Sequence, residues 1–317
     1  MGNNYQSALD AAGPYADALE RLWWFFLIAC TIVWVVTSAF IILAIIRGGR
    51  RTEPDLTNEG TRRSSIWVGA GLIATAGILI AMLVVSVATG REISPFAARY
   101  AHDIKVTGHQ WWWQIQYDNP RADLIAETAN ELHLPVGEAA RIELTSSDVI
   151  HSFWIPNLHG KRDLIPGKKS YLVIRADKPG IYRAQCAEFC GMQHAKMGFV
   201  VIVEPKADFE RWLRTQRTPA PHPKNADQQR GQQVFLTTSC VMCHTIKGTP
   251  AGSRTGPDLT HVGSRRTLGA AVIPNTRGNL SGWIADAGSV KPGVLMPPNP
   301  LEPDDLHAVV VYLESLK

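Results

Sequence analysis

The sequence predicts a multidomain membrane protein: two apolar helices crossing a bilayer as a hairpin, an antiparallel β-barrel, and a small all-α domain at the C-terminus. Three observations carry this reading. Two charge-free runs, Leu22 to Ile46 (25 residues) and Ile66 to Thr89 (24 residues), lie in the first third of the chain. From about residue 100 to 205 the pattern becomes short alternating strands punctuated by Pro and Gly. After a proline-rich stretch, Asp304 to Leu316 carries apolar residues at Leu306, Val309, Val310 and Leu313, a helical stripe. The expected units are a tail over 1–21, the hairpin over 22–90, the barrel over 91–214, a linker over 215–226 and the C-terminal domain over 227–317.

Composition narrows the function. With 317 residues, 45% of them hydrophobic and 19% charged, the chain is neither disordered nor of low complexity. A net charge of +4 spread over that length excludes a nucleic-acid binder. The mean hydropathy of −0.05 averages a greasy N-terminal part with a water-soluble remainder. Five cysteines are too few for a disulfide framework, and one must be odd.

Each apolar run exceeds the roughly 20 residues a helix needs to span a bilayer. The first is no signal peptide: Asp10, Asp17 and Glu20 precede it against a single Arg21, and the run is too long. Arg47, Arg50, Arg51, Arg62 and Arg63 fall between the runs, so that loop is expected in the cytoplasm. Both termini and the soluble domains are then on the periplasmic side of a bacterial inner membrane. Trp23, Trp24 and Trp67 sit near span ends, where amphipathic rings favour the interface. Cys30, within the first span, reads as a small buried apolar residue.

In the barrel region, Arg141 to Thr145 alternates polar and apolar, while Tyr171 to Arg175 and Gly198 to Val203 read as more buried strands. Its chemistry lies in Cys186-Ala187-Glu188-Phe189-Cys190-Gly191-Met192-Gln193-His194-Ala195-Lys196-Met197, with His151 upstream. Thiolate, imidazole and thioether together suit copper, and His₂Cys with a weak Met is the blue-copper pattern. A second thiolate four residues on could bridge and cap two coppers rather than one. A Cys₂His₂ zinc site, or a Cys186–Cys190 disulfide, accounts for part of this set.

This stretch resembles the dinuclear CuA loop of cytochrome c oxidase subunit II, with Cys-x-Glu-x-Cys-x₃-His-x₂-Met unbroken. The similarity extends to Asp148 to Phe153, to Gly160 to Gly167, and to Gly108-His109-Gln110-Trp111-Trp112-Trp113. The resemblance implies a cupredoxin-like barrel in which Cys186 and Cys190 bridge two coppers. His151 and Met197 complete one copper; His194 and the Glu188 carbonyl complete the other. It also implies a magnesium ion reached by the Glu188 carboxylate and shared with the catalytic subunit. Trp111 takes the place of the tryptophan through which electrons arrive, and at least one of Trp112 and Trp113 serves packing. One departure stands out: no glutamate opens the second span where many members carry one for a proton path, and Glu59 is displaced from that place.

Beyond Thr215 to Asp227, with three prolines, comes Cys240-Val241-Met242-Cys243-His244. This is the c-type haem attachment pattern: two thiols add to the haem vinyls and the adjacent histidine ligates the iron. Of six methionines only Met296 follows the motif, in Val294-Leu295-Met296-Pro297-Pro298, and it is the expected sixth ligand, with His261 and His307 as alternatives. His–Met ligation raises the potential, as suits an electron donor. Gly256-Pro257-Asp258-Leu259 resembles the loop whose proline carbonyl holds the proximal histidine in class I cytochromes c.

Together these parts imply a subunit II fused to a cytochrome c, carrying two coppers and one covalent haem c. It would take electrons from an external donor such as a cytochrome c and pass them from haem to copper to subunit I, among the other oxidase subunits. Oxygen reduction would occur in that partner. The input subunit of a CuA-type nitric oxide reductase is the alternative. Residues 95–215 hold 15 basic and 14 acidic side chains, too balanced to steer a basic donor. A linker of a dozen residues spans roughly 20 Å, so the tether is expected to stand in for docking.

Overall fold

The computed structural model describes residues 6–48, 58–94 and 100–317. Two units emerge, Asp17–Ser94 and the remainder. In the first, α1 (Pro14–Gly48) and α2 (Asn58–Glu92) are each 35 residues long. Their most apolar windows are wholly unburied by protein, as a bilayer-spanning helix requires. Arg21 Nη2 of α1 donates to Glu92 Oε1 of α2 at 3.0 Å, which ties the N-terminal part of α1 to the C-terminal end of α2 as a hairpin. Cys30 differs from expectation. It is exposed on the surface of α1, because an apolar environment around this helix comes from outside the chain rather than from a core. The side chain of Glu59, and Arg50 and Arg51, lie outside the described residues.

The second unit opens with a sandwich of two five-stranded sheets. The strands are β1 (His102–His109), β2 (Trp112–Tyr117), β3 (Ala126–Ala129), β4 (Glu131–Pro135), β5 (Ala139–Ser146), β6 (His151–Trp154), β7 (Arg162–Leu164), β8 (Ser170–Arg175), β9 (Gly180–Cys186) and β10 (Gly198–Glu204). One sheet runs β3-β2-β1-β5-β8 and the other β4-β10-β9-β6-β7. The alternation read in β5 holds: Ala140, Ile142 and Leu144 are buried while Arg141 and Glu143 face outward. Each sheet also contains one parallel pair, β1 with β5 and β4 with β10. The strands of each such pair are separated in sequence by three or more others, so no hairpin turn could announce them.

Trp113, Phe153 and Phe199 fill the centre, with ring centroids 5.0–5.9 Å apart. The expected N-terminal tail is also bound to the sandwich. Ala12 N–H donates to the Asn157 carbonyl at 2.8 Å, and the Ala12 carbonyl accepts from Asp177 N–H at 2.7 Å. A helix, α3 (Lys206–Gln216), closes the domain, laying Trp212 flat on His133 at 3.8 Å.

The last domain comprises α4 (Ala226–Thr237), a two-stranded β11 (Thr267–Leu268) and β12 (Ile273–Pro274), then α5 (Arg277–Ala285), α6 (Ala287–Val290) and α7 (Pro303–Ser315). Gly231 of α4 and Ala308 of α7 meet backbone to backbone: a Cβ at 231 would lie 2.0 Å from the Ala308 carbonyl oxygen. Only glycine permits that crossing. The linker is not a free tether. His261 Nε2 donates to the Thr218 carbonyl at 3.1 Å, and Ala220 N–H to the Lys247 carbonyl at 2.9 Å.

Nor is the C-terminal domain held by the linker alone. Gly198 N–H of β10 donates to the Ala270 carbonyl at 3.1 Å. Arg183 Nη1 of β9 donates to the Ala271 carbonyl at 3.1 Å, and Arg266 N–H to Glu131 Oε2 at 2.9 Å. The expectation that a tether replaces docking is therefore overturned. Composition balanced the total charge but could not show hydrogen-bonding groups placed along two facing edges.

Gly231→Val forces the α4 and α7 backbones apart, which costs about 3 kcal/mol, the upper part of the range for overpacking. Calorimetry should show the C-terminal domain melting earlier, with the sandwich transition unchanged.

Candidate metal centre

The end of β9, the loop after it and the start of β6 converge at one end of the sandwich. Cys186 ends β9, and the loop through residues 187–189 brings Cys190 back beside it. The two Sγ atoms are 3.8 Å apart, both free and both buried. His151 Nδ1 lies 4.0 Å from Cys186 Sγ, and the Glu188 carbonyl 3.2 Å from it. On the other side, His194 Nδ1 and Met197 Sδ each lie 3.7 Å from Cys190 Sγ. His151, Cys186 and Cys190 bring their donor atoms within 4.8 Å of one another.

This donor set fits copper. The two thiols are unbonded, so no disulfide occupies them. A four-ligand zinc site would leave the thioether and the carbonyl unused. Soft sulfur from three residues with two imidazoles suits copper, and two thiols 3.8 Å apart are placed to bridge a pair of ions.

Electrostatics prepare the thiols. Hydrogen bonding from Cys190, then from His151 and nearby backbone N–H groups, holds the Cys186 thiol down to about 3. The same hydrogen bond pushes Cys190 well up, since two thiolates so close repel. A cation between them relieves that conflict.

Three features around the site were not singled out from sequence. Asp148 Oδ1 accepts from His151 Nε2 at 2.7 Å, fixing the tautomer that turns Nδ1 toward sulfur. Burial opposes ionisation of Asp148, but bonds from His151 and from the Gln110 and Val149 N–H groups outweigh it and hold the carboxyl below its usual range. A carboxylate three residues before a ligand histidine was the available signal. Gly108 leaves room for the imidazole: a Cβ there would lie 2.8 Å from His151 Cδ2. Lys291, buried at 1% exposure, donates to the Trp111 carbonyl at 2.7 Å.

The tryptophan run divides by role. Trp111 Nε1 donates to the Cys190 carbonyl at 2.9 Å, while Trp113 is core, its ring 6.1 Å from His151. Trp112 stacks on His109 at 4.2 Å. The Glu188 carboxylate points away from the sulfurs, with Oε2 3.9 Å from Lys161 Nζ.

The Cys240-to-His244 segment folds as a helical turn, with Cys243 and His244 N–H both donating to the Cys240 carbonyl. His244 Nδ1 donates to the Pro257 carbonyl at 2.7 Å, which leaves Nε2 as the ring nitrogen not used in that bond. Burial lowers the His244 pKa and keeps the ring neutral. These residues fit a covalent haem. Met296 is half-buried in an irregular segment. His261 Nε2 bonds the Thr218 carbonyl of the linker, and His307 is exposed on α7.

Comparison with known proteins gives a consistent picture. Residues 119–204 match the family described as cytochrome c oxidase subunit II, periplasmic domain, and residues 228–317 match the cytochrome c family. A cytochrome c oxidase subunit 2 of Alkalihalophilus pseudofirmus is 34% identical, aligned over 100% of this chain and 92% of that protein. The corresponding Bacillus subtilis protein is 26% identical over 100% of this chain and 93% of its own length. Among solved structures, the periplasmic domain of subunit II of cytochrome oxidase of Bradyrhizobium japonicum is 31% identical, covering 38% of this chain and 97% of that one, with a TM-score of 0.36.

Replacing Asp148 with alanine frees the His151 ring. Copper affinity should fall about 10- to 100-fold in a competition titration, with the sandwich still folded.

Proposed function

The chain belongs to the cytochrome c oxidase subunit II family, and on that premise we propose that it is the electron-input subunit of a haem–copper oxidase. It receives electrons at the C-terminal domain and hands them through the copper domain to catalytic subunit I, which reduces oxygen to water. The observation that carries this reading is the ring of donors around two open thiols, in the same compact unit as a Cys-x-x-Cys-His domain. Full-length relatives that carry the oxidase name favour oxygen over nitric oxide as the partner's substrate.

Copper and haem, when bound, supply one-electron redox chemistry. The chain's own residues set its conditions. Cys186 and Cys190 would bridge two copper ions, with His151 and Met197 on one and His194 and the Glu188 carbonyl on the other. Cys240 and Cys243 would hold haem c covalently, with His244 and Met296 as axial ligands. Burial of Cys186, Cys190 and Met197 excludes water, which limits reorganisation when charge changes. Asp148 holds His151 in one tautomer. The Glu188 carboxylate, turned outward beside Lys161, would reach a magnesium ion at the subunit I surface, and Trp111 stands where electrons arrive at the copper. The arginine-rich loop would be cytoplasmic, with both termini and both soluble domains periplasmic.

Metal analysis of the purified chain should give two coppers and one covalent haem. One copper, or zinc at the cysteines, overturns the assignment. Cys186→Ser should destroy the copper site and leave the haem domain folded. In stopped-flow mixing its haem c should then reduce normally while the partner's haems stay oxidised.

Met296→Ala should abolish the low-spin His–Met spectrum yet leave haem attached. An unchanged spectrum moves the sixth ligand to His261 or His307.

A further inference from the structure

The two loops that carry the metal-binding residues grip each other. Four residues on the copper side and four on the haem side take part. Lys196 Nζ donates to the Val290 carbonyl at 2.7 Å, and the Gln193 amide donates to the Pro292 carbonyl. Gly293 lies against Met192, so closely that a Cβ would come within 2.5 Å of its sulfur. Lys291 sends its ammonium the opposite way, to the Trp111 carbonyl at 2.7 Å, and bonds the Gly269 carbonyl of its own domain at 3.1 Å. Met192, Gln193 and Lys196 are interleaved with His194 and Met197. Residues 290–293 end three positions before Met296. Apart from Trp111, each anchor therefore lies in a segment that also holds a proposed metal ligand.

Lys291 is the unusual member. A lysine at 1% exposure is rarely tolerated without a partner carboxylate. Its two described acceptors are both carbonyls. Such a group is costly to bury and is retained where it fixes a specific geometry. Trp111, whose carbonyl it holds, reaches on through its indole N–H to the Cys190 carbonyl at 2.9 Å. Two hydrogen bonds thus connect Lys291 to the backbone of a copper-site cysteine.

We propose that Lys291 is a positioning residue that locks the haem-ligand loop onto the copper loop through Trp111, so that the haem domain is a permanently docked donor. The inference rests on the functional reading above. In it, the haem-to-copper step occurs within one fixed arrangement and needs no docking encounter. The step should then be insensitive to ionic strength, because the bonds that hold the arrangement are buried or run to backbone carbonyls.

The test uses the full-length chain with copper and haem loaded, comparing wild type with Lys291→Met, which keeps the aliphatic stem and removes the ammonium. In the variant, amide hydrogen exchange at residues 265–271 and 288–293 should rise at least tenfold. Haem-to-copper transfer after flash reduction should slow at least tenfold and become salt-dependent. External reduction of the haem, the His–Met band and the copper spectrum should stay as in wild type. A lysine that only stabilises the fold would lower the melting temperature and leave the transfer rate unchanged, which overturns the proposal. Lys196→Met, which removes the reciprocal bond to Val290, serves if Lys291→Met does not accumulate, with the same expected and overturning results. Loss of copper or haem from the wild-type chain would instead sink the functional reading, while hydrogen exchange would still report on the dock.

Discussion

Two cysteine sulfurs, buried, unbonded and 3.8 Å apart, are the constraint on which the rest of this structure depends. Left alone, such a pair is electrostatically frustrated: one thiol ionises readily and thereby opposes ionisation of the other. The fold itself places the sulfurs, because Cys186 ends a paired strand and Cys190 is held by bonds to its carbonyl from Gln110 and Trp111. The sandwich core supports this placement from below. Trp113, Phe153 and Phe199 fill the space beneath His151, so the imidazole cannot retreat inward. Asp148 prevents it from turning. Rigidity bought by packing becomes a preformed donor set.

The same loop that carries the sulfurs also carries the contact with the C-terminal domain. Its ligand positions face inward, while Gln193 and Lys196 reach outward to Pro292 and Val290. The 3₁₀ turn at His194–Lys196 makes this possible, since with three residues per turn neighbouring side chains diverge by about 120°. A single short segment thereby serves the interior of one domain and the surface of another.

Much of this was legible in the sequence because donor chemistry is distinctive. Two thiols, an imidazole and a thioether in twelve residues, and Cys-x-x-Cys-His, have few other uses. The two spans were equally legible, since length and absence of charge suffice. Less so were the groups that act by position. Asp148 and Gly108 are ordinary residues whose roles exist only once β1 and β6 lie side by side. The parallel pairs β1 with β5 and β4 with β10 join strands distant in sequence, and periodicity does not encode pairing. Lys291, between Val290 and Pro292, looks like a solvated surface charge. Three prolines mark residues 215–227 as a linker, but proline content says nothing about which surface a segment binds. Thr218 and Ala220 turned out to be bonded to the domain that follows.

The docked arrangement has a physical logic that a tether lacks. A diffusing donor must bind and then leave, so its interface has to be weak and is assembled largely from long-range charge. A fused donor never leaves, and release imposes no limit on how tightly it is held. Its interface can therefore use short-range bonds whose strength depends on geometry rather than on net charge. That is the composition found here: Lys196, Lys291 and Arg183 donate to backbone carbonyls, Gln193 likewise, and Gly198 and Arg266 contribute backbone N–H groups. The near-neutral charge of residues 95–215 follows from the same logic, since a sandwich that keeps its donor has no need of an acidic field to attract one. What tethering supplies is a high local concentration during folding. What the facing loops supply is a defined separation and orientation thereafter, which concentration alone cannot give.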